Sequence, residues 1–298
     1  MTSSNLRTGA LYGLAAYGMW GVFPLYIVLF DWMPAWEVLA HRVVWSCLLM
    51  VLLVWVARRH NAVLRALRDR ALLLRVLVCA LLIGLNWGTY IHAIGTRQAM
   101  QASFGYFLTP LVNVALGVLV LRERLHGLQV AAVALATVAV LVQLVGQDSL
   151  PWISLTLATS FGLYGLLHKK VALDSLSSLF LETLLLMPLA LCALVFLHAS
   201  GLAVWQGTTG QTLLLMTTGV ATGVPLLFFA AAAQRLPLTT LGLLLYISPT
   251  MQLLIAVFVF KEPLNTVQAV SFVLIWCGLA LYAWSGWHEA RRCRVTSV

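Results

Sequence analysis

Apolar residues fall in long unbroken runs along this chain instead of alternating with polar ones. A helix that crosses a bilayer needs about 20 mostly apolar residues. The runs predict ten such spans, roughly at 8–30, 35–57, 72–94, 100–121, 127–145, 150–168, 176–198, 212–234, 238–260 and 265–287. The connections are short, the longest at about 58–71 and 199–211, and leave no room for a separate soluble domain. The first run is longer than the core of a secretory signal and is read as a span.

The basic residues give the spans a direction. With the N-terminus placed inside, fifteen Lys and Arg fall on the inner side, Arg97 and Lys261 fall outside, and Arg42 lies within a span. Short cytoplasmic loops carry such an excess, so both termini are expected in the cytoplasm.

Composition agrees. Of 298 residues, 62% are apolar and 9% charged, with mean hydropathy +0.96. That leaves too few charges to cover a soluble globular surface. The net charge of +9 sits in short loops, without the polar basic domain of a nucleic-acid binder, so no nucleic acid is expected as a partner. Five cysteines, four of them inside apolar runs, suggest neither a disulfide framework nor a zinc site. No cofactor or metal is called for.

The chain repeats itself. At an offset of 139, Pro110 matches Pro249, Asn113 matches Gln252, Glu123 matches Glu262 and Gln129 matches Gln268. Residues 17–21 likewise match 161–165. Spans 1–5 (residues 1–146) therefore repeat as spans 6–10 (residues 147–298). An odd number of spans per copy turns the second copy over. Inverted repeats of this kind mark secondary transporters, with the substrate at the repeat interface.

The residues of several spans resemble one known family. They include residues 15–24, then His41, Arg42, Val43, Val44, Trp45 and Ser46, then Gly84, Asn86 and Trp87. Further on are Ser103, Gly105, Tyr106, Pro110 and Glu123, with Tyr164, Glu182, Tyr246, Pro249 and Glu262 in the second half. This set resembles the EamA branch of the drug/metabolite transporter superfamily, and within it the RarD-like members. The resemblance implies an all-α fold of ten helices in two inverted five-helix repeats, an inner-membrane location, and efflux or exchange of small metabolites. The subfamily takes its name from chloramphenicol sensitivity, which makes drug efflux the alternative. Pro225 stands where the repeat partner is Asn86, so the two halves are chemically unequal.

Ionisable groups inside a span cost several kcal/mol and mark functional candidates. Arg42 lies ~10 Å from the outer end of span 2, and Glu182 ~9 Å from the inner end of span 7, at 1.5 Å per residue. Arg42 is the candidate for a substrate carboxylate. Glu182 is the candidate for a cationic group or a coupling proton, and His41 is a second coupling or gating candidate. Pro110 and Pro249 each free a backbone carbonyl near the midplane, which makes them gating candidates; Asn113 and Gln252 follow on the same faces. Asn86, Trp20, Tyr106, Tyr164 and Tyr246 complete the expected substrate-binding set. The arginines of 58–70 are expected on a surface helix against anionic lipid. Glu37 is read as solvated near the outer surface.

The expected function is export of a small metabolite, an amino acid or related amphipathic zwitterion, by alternating access. The chain has no phosphate-binding loop, so an ion or substrate gradient must drive it. An intramembrane lipid-modifying enzyme is the alternative from another class. It would need clustered nucleophiles, bases or metal ligands, and the intraspan titratable groups are scattered.

Overall fold

The structure, a computed structural model, describes residues 3–121, 130–131, 134–135, 137–139, 141–142, 151–168, 171, 173–233, 235–236 and 244–295. Among these residues helix dominates and runs through eight of the ten expected segments; the fifth and the ninth are described only in part.

Helix α1 (Ser3–Gly21) and α2 (Phe23–Ile27) form one bent unit that continues through a 3-10 turn (Val28–Phe30). The two axes differ by 45°. Pro24 explains the break, because it lacks an N–H and is tolerated only in the first turn of a new helix. Next come α3 (Ala35–Val56), the short α4 (His60–Arg68), α5 (Arg70–Gly95) and α6 (Ala99–Leu121). The second half holds α7 (Trp152–His168), α8 (Ser175–Ala199) and α9 (Thr209–Ala233). It closes with α10 (Ile247–Leu254), a π-helical turn (Ile255–Val259) and α11 (Thr266–Val295).

Local chemistry sets several boundaries. The Asp69 carboxylate accepts the N–H groups of Ala71 and Leu72 at the start of α5. Asp174 does the same for Ser177 at the start of α8. Such caps satisfy donors that have no partner within the helix. Arg58, Arg97 and Lys261 adopt left-handed backbone, with φ of 54°, 55° and 56°, and end the segments before them.

Four helices, α3, α5, α8 and the 209–229 part of α9, are long and apolar enough to cross a membrane, and the α1–α2 pair is a fifth if taken as one span. Their outward faces are apolar. On α3, Leu48, Leu52 and Trp55 are exposed, whereas Arg42, Ser46 and Met50 on the opposite face are buried. On α8, Leu189 and Phe196 are exposed, whereas Ser178, Glu182 and Leu186 are buried. Polar groups inside and apolar groups outside is the arrangement lipid requires.

The helix contacts are paired. α3 packs on α8, and α6 on α10. The contact of α1 with α9 has its counterpart in α5 with α7, and that of α1 with α10 in α6 with α7. The contact of α3 with α9 has its counterpart in α5 with α8. Exchanging each expected span with the one five places along maps every one of these contacts onto another or onto itself. Two of them depend on glycine for close approach. A Cβ at Gly105 would stand 2.8 Å from the Ser154 carbonyl oxygen, and one at Gly219 would stand 2.6 Å from that of Trp45.

Candidate functional site

Arg42 lies on the inner face of α3 and is 6% exposed. Its Nε donates to Thr222 Oγ1 of α9 at 3.0 Å. Its guanidinium carbon stands 4.3 Å from the Trp87 ring centroid and 5.0 Å from that of Phe23. Tyr90 continues this wall, with its ring 5.9 Å from Phe23 and 5.8 Å from Tyr106. Tyr26 packs against Phe23 and shares a 2.7 Å hydrogen bond with Thr217.

The Arg42 charge therefore sits in an aromatic box. Cation–π contacts favour it there, but rings accept few of its protons. The four donors on its two Nη atoms make no hydrogen bond or ion pair among the described residues. The Tyr90 hydroxyl is also buried with no partner. A buried cation without an anion is costly, and the two ring faces offset part of that cost.

Asn86 of α5, 1% exposed, is fully engaged. Its Nδ2 donates to the Leu157 carbonyl at 3.1 Å and to Ser160 Oγ at 3.0 Å on α7. Its Oδ1 accepts the Tyr106 hydroxyl at 3.1 Å. It ties α5 to α7 and holds Tyr106 at the edge of the Arg42 box.

Glu182 forms a second centre. It is 0% exposed. Its Oε1 accepts Ser178 Oγ at 2.9 Å, and its Oε2 accepts the Tyr164 hydroxyl at 3.1 Å. His168 Nε2 lies 3.5 Å from Oε1 and 3.1 Å from Ser178 Oγ. Arg42 and Glu182 do not pair with each other. Among the described residues, rings run between them, Tyr106 to Phe161 at 6.3 Å and Phe161 to Tyr164 at 6.0 Å, beside an apolar cluster of Met50, Ile83, Trp87 and Leu179.

The remaining expected residues lie around α1 and α10. Gln252 Nε2 donates to the Trp20 carbonyl at 3.0 Å and to Ser248 Oγ at 3.2 Å, while its Oε1 is buried with no partner among the described residues. The Trp20 ring packs on Tyr17 and Phe229. Pro249 sits in the first turn of α10, after a turn at 245–246, and its carbonyl accepts Ser103 Oγ at 2.7 Å. At Pro249, then, the midplane irregularity is a new helix start. Around Pro110, α6 continues; the side chains of Pro110 and Asn113 lie outside the described residues. Tyr246 packs against the main apolar core.

Two carboxylates hold the end of the bundle where α3 and α6 begin. Glu37, expected in water, is 1% exposed. It accepts the N–H groups of Val204 at 3.1 Å and Trp205 at 3.0 Å, in the loop between α8 and α9. The Trp205 ring meets His41 at 5.1 Å, edge to face, and His41 Nε2 and Trp205 Nε1 are both buried without partners among the described residues. Glu262, in the loop after the π-helical turn, accepts the N–H groups of Ala99 at 2.7 Å and Met100 at 2.8 Å. Its partners are the first donors of α6, where negative charge is favoured by the helix dipole.

Burial pushes the Glu262 carboxyl above its usual 4.5, and the two backbone bonds pull it back only in part. A raised carboxyl means that the folded state holds this proton more tightly than the unfolded state. Stability therefore falls as pH rises from about 4.5 through the folded value. The expected result is that Glu262→Gln flattens the melting temperature across that window. An unchanged slope in Glu262→Gln would assign the dependence to another group.

Helices with apolar outer faces and buried charges define an integral membrane protein. The chain belongs to the EamA-like transporter family, whose model matches residues 7–145 and again 150–284. An uncharacterized transporter of Pseudomonas aeruginosa is 44% identical to it, over 98% of this chain and 98% of that protein. Protein RarD of Escherichia coli is 40% identical, over 98% and 99%. A protein of P. aeruginosa named chloramphenicol-sensitive protein RarD is 34% identical, over 96% of each chain. A solved crystal structure shares the fold at a TM-score of 0.61, with 18% identity, over 92% of this chain and 96% of that one. The transporter names among these relatives point to a transporter and away from an enzyme.

Proposed function

We propose that the chain is a secondary active transporter that exports an amphipathic zwitterion, an amino acid or related metabolite, across the inner membrane. The observation that carries this reading is the unpaired Arg42 guanidinium inside its box of Phe23, Trp87, Tyr90 and Tyr106. A carboxylate would satisfy its free Nη donors in a bidentate pair, and the rings would hold the apolar part of the same molecule. Glu182 serves the cationic group or the coupling proton, His41 and the two prolines the movement. The two halves, 1–146 and 147–298, rock against each other as inverted five-span repeats. The double family match and the exchange pattern of helix contacts support that reading. The basic helix α4 rests on anionic lipid, with both termini in the cytoplasm.

The second reading, drug efflux, is favoured by one observation: the P. aeruginosa relative named chloramphenicol-sensitive protein RarD is associated by that name with chloramphenicol. One panel separates the two. Purified protein is melted with amino acids, nucleosides, quaternary amines and chloramphenicol, and hits are tested for counterflow in proteoliposomes. A ligand at 100 times its Kd stabilises by about 2.7 kcal/mol. The expected hit carries a carboxylate. A hit without an anionic group, or one moved equally well by Arg42→Ala, would sink the zwitterion reading.

A further inference from the structure

We infer that Glu182 is a proton-binding site separate from the Arg42 site, loaded through His168 from the water where α7 ends. Its use rests on the transporter reading above; its chemistry does not. Glu182 is 0% exposed, whereas the His168 side chain that touches it is 29% exposed. One residue thus reaches both water and a carboxylate that water does not reach.

The surroundings fit a proton better than a metal cation. The carboxylate is met by two hydroxyls and a ring nitrogen, and hard cations ask for six or more oxygens. No group of three metal-ligating side chains occurs among the described residues. Among the described residues the other titratable groups around Glu182 are few. Tyr164 and His168 face it from α7, and the Cys79 thiol from α5. Cys47 of α3 bonds to Thr183, the next residue. On α4 and the start of α5, Arg65, Arg68 and Arg75 are exposed, and α9 carries no ionisable side chain. Glu37, His41 and Arg42 belong to the other half of α3.

The step balances. The imidazolium of His168 gives its Nε2 proton to Ser178 Oγ, 3.1 Å away, as Ser178 gives its own to Glu182 Oε1 at 2.9 Å. The products are neutral imidazole and a carboxylic acid, and water returns a proton to the ring. The Tyr164 hydroxyl, bonded to Oε2, feels the change. Beyond it, among the described residues, lie ring and apolar contacts, so the Arg42 box senses the proton through packing.

The test needs no substrate. Dicyclohexylcarbodiimide, an apolar reagent, adds to a protonated carboxyl and leaves a stable acylurea that mass spectrometry locates. Wild-type protein in phospholipid vesicles should be modified at Glu182 at least about tenfold faster at pH 6 than at pH 8, since one pH unit above a titration is worth up to tenfold. His168→Gln removes the relay and leaves the carboxyl in place. A relay sets how fast the proton arrives and not how much is bound at equilibrium, so it is read after a jump from pH 8 to pH 6: the infrared carboxyl band of Glu182, assigned by its loss in Glu182→Gln, should grow in folded His168→Gln at least about tenfold more slowly than in the wild type. Glu182 unmodified, or modified equally at both pH values in the wild type, would overturn the proton site. An unchanged rate in His168→Gln would overturn the role of His168. If His168→Gln fails to fold, Ser178→Ala cuts the bridge and should slow the band at least about tenfold; an unchanged rate there overturns the route. A negative result leaves the Arg42 reading standing, and an empty ligand panel leaves this one standing.

Discussion

Replacing Arg42 by Met should raise the melting temperature of the ligand-free protein and abolish its response to a carboxylate ligand. The two effects have one cause. In the empty protein the guanidinium has Thr222 and two aromatic faces, and no anion. Exchanging a buried, incompletely paired charge for an apolar group of similar length is often neutral or stabilising by about 1–4 kcal/mol. Methionine keeps the packing volume against Phe23 and Trp87. The bound state loses a charge-assisted contact of about 1.5–3 kcal/mol, roughly 10- to 150-fold in affinity. Arg42→Lys should fall between, because an ammonium cannot form the bidentate pair. A less stable Arg42→Met protein that still binds a carboxylate would make Arg42 a packing residue.

Glu37→Ala should loosen the loop between α8 and α9 and destabilise the protein by about 1.5–3 kcal/mol, the value of hydrogen bonds to a charged group. The carboxylate is held by the N–H groups of Val204 and Trp205, and both donors would be left without it. Trp205 would lose its anchor against His41. Limited proteolysis within 200–208 reads the loosening directly, and melting reads the stability. Glu37→Gln keeps one acceptor oxygen and should show a smaller effect. Proteolysis of Glu37→Ala at the wild-type rate would show that the loop is held by other contacts.

Within the described residues the apolar runs match the helices closely, because a span must be apolar over its whole length. Bends were less legible. The α1–α2 break follows from Pro24, but the turn before Pro249 against the continuing α6 at Pro110 does not follow from two matching prolines. Each proline removes one donor; the neighbouring helices decide whether the helix bends or restarts. Arg42 and Glu182 stood out because charge in an apolar run has a cost. Their surroundings did not. Thr222 lies 180 residues from Arg42, and Phe23, Tyr90 and Trp87 look like any aromatic residues in a span. His168 looks like a residue at a helix end until α8 brings Ser178 and Glu182 beside it. Glu37 was misread as solvated for a related reason: nearness to a span end says nothing about a loop that folds over it.

The clamps of Glu37 and Glu262 grip main chain. The partners at 204, 205, 99 and 100 offer only their amide N–H groups, which every residue except proline carries. A side-chain change at any of the four leaves the clamp's own donors in place, although Ala99, Met100 and Trp205 also pack into the main apolar core. The two glutamates have no such latitude. A closure made this way also has no oppositely charged side chain for salt to mask. The fastening is thus written into two letters of the sequence and into backbone geometry.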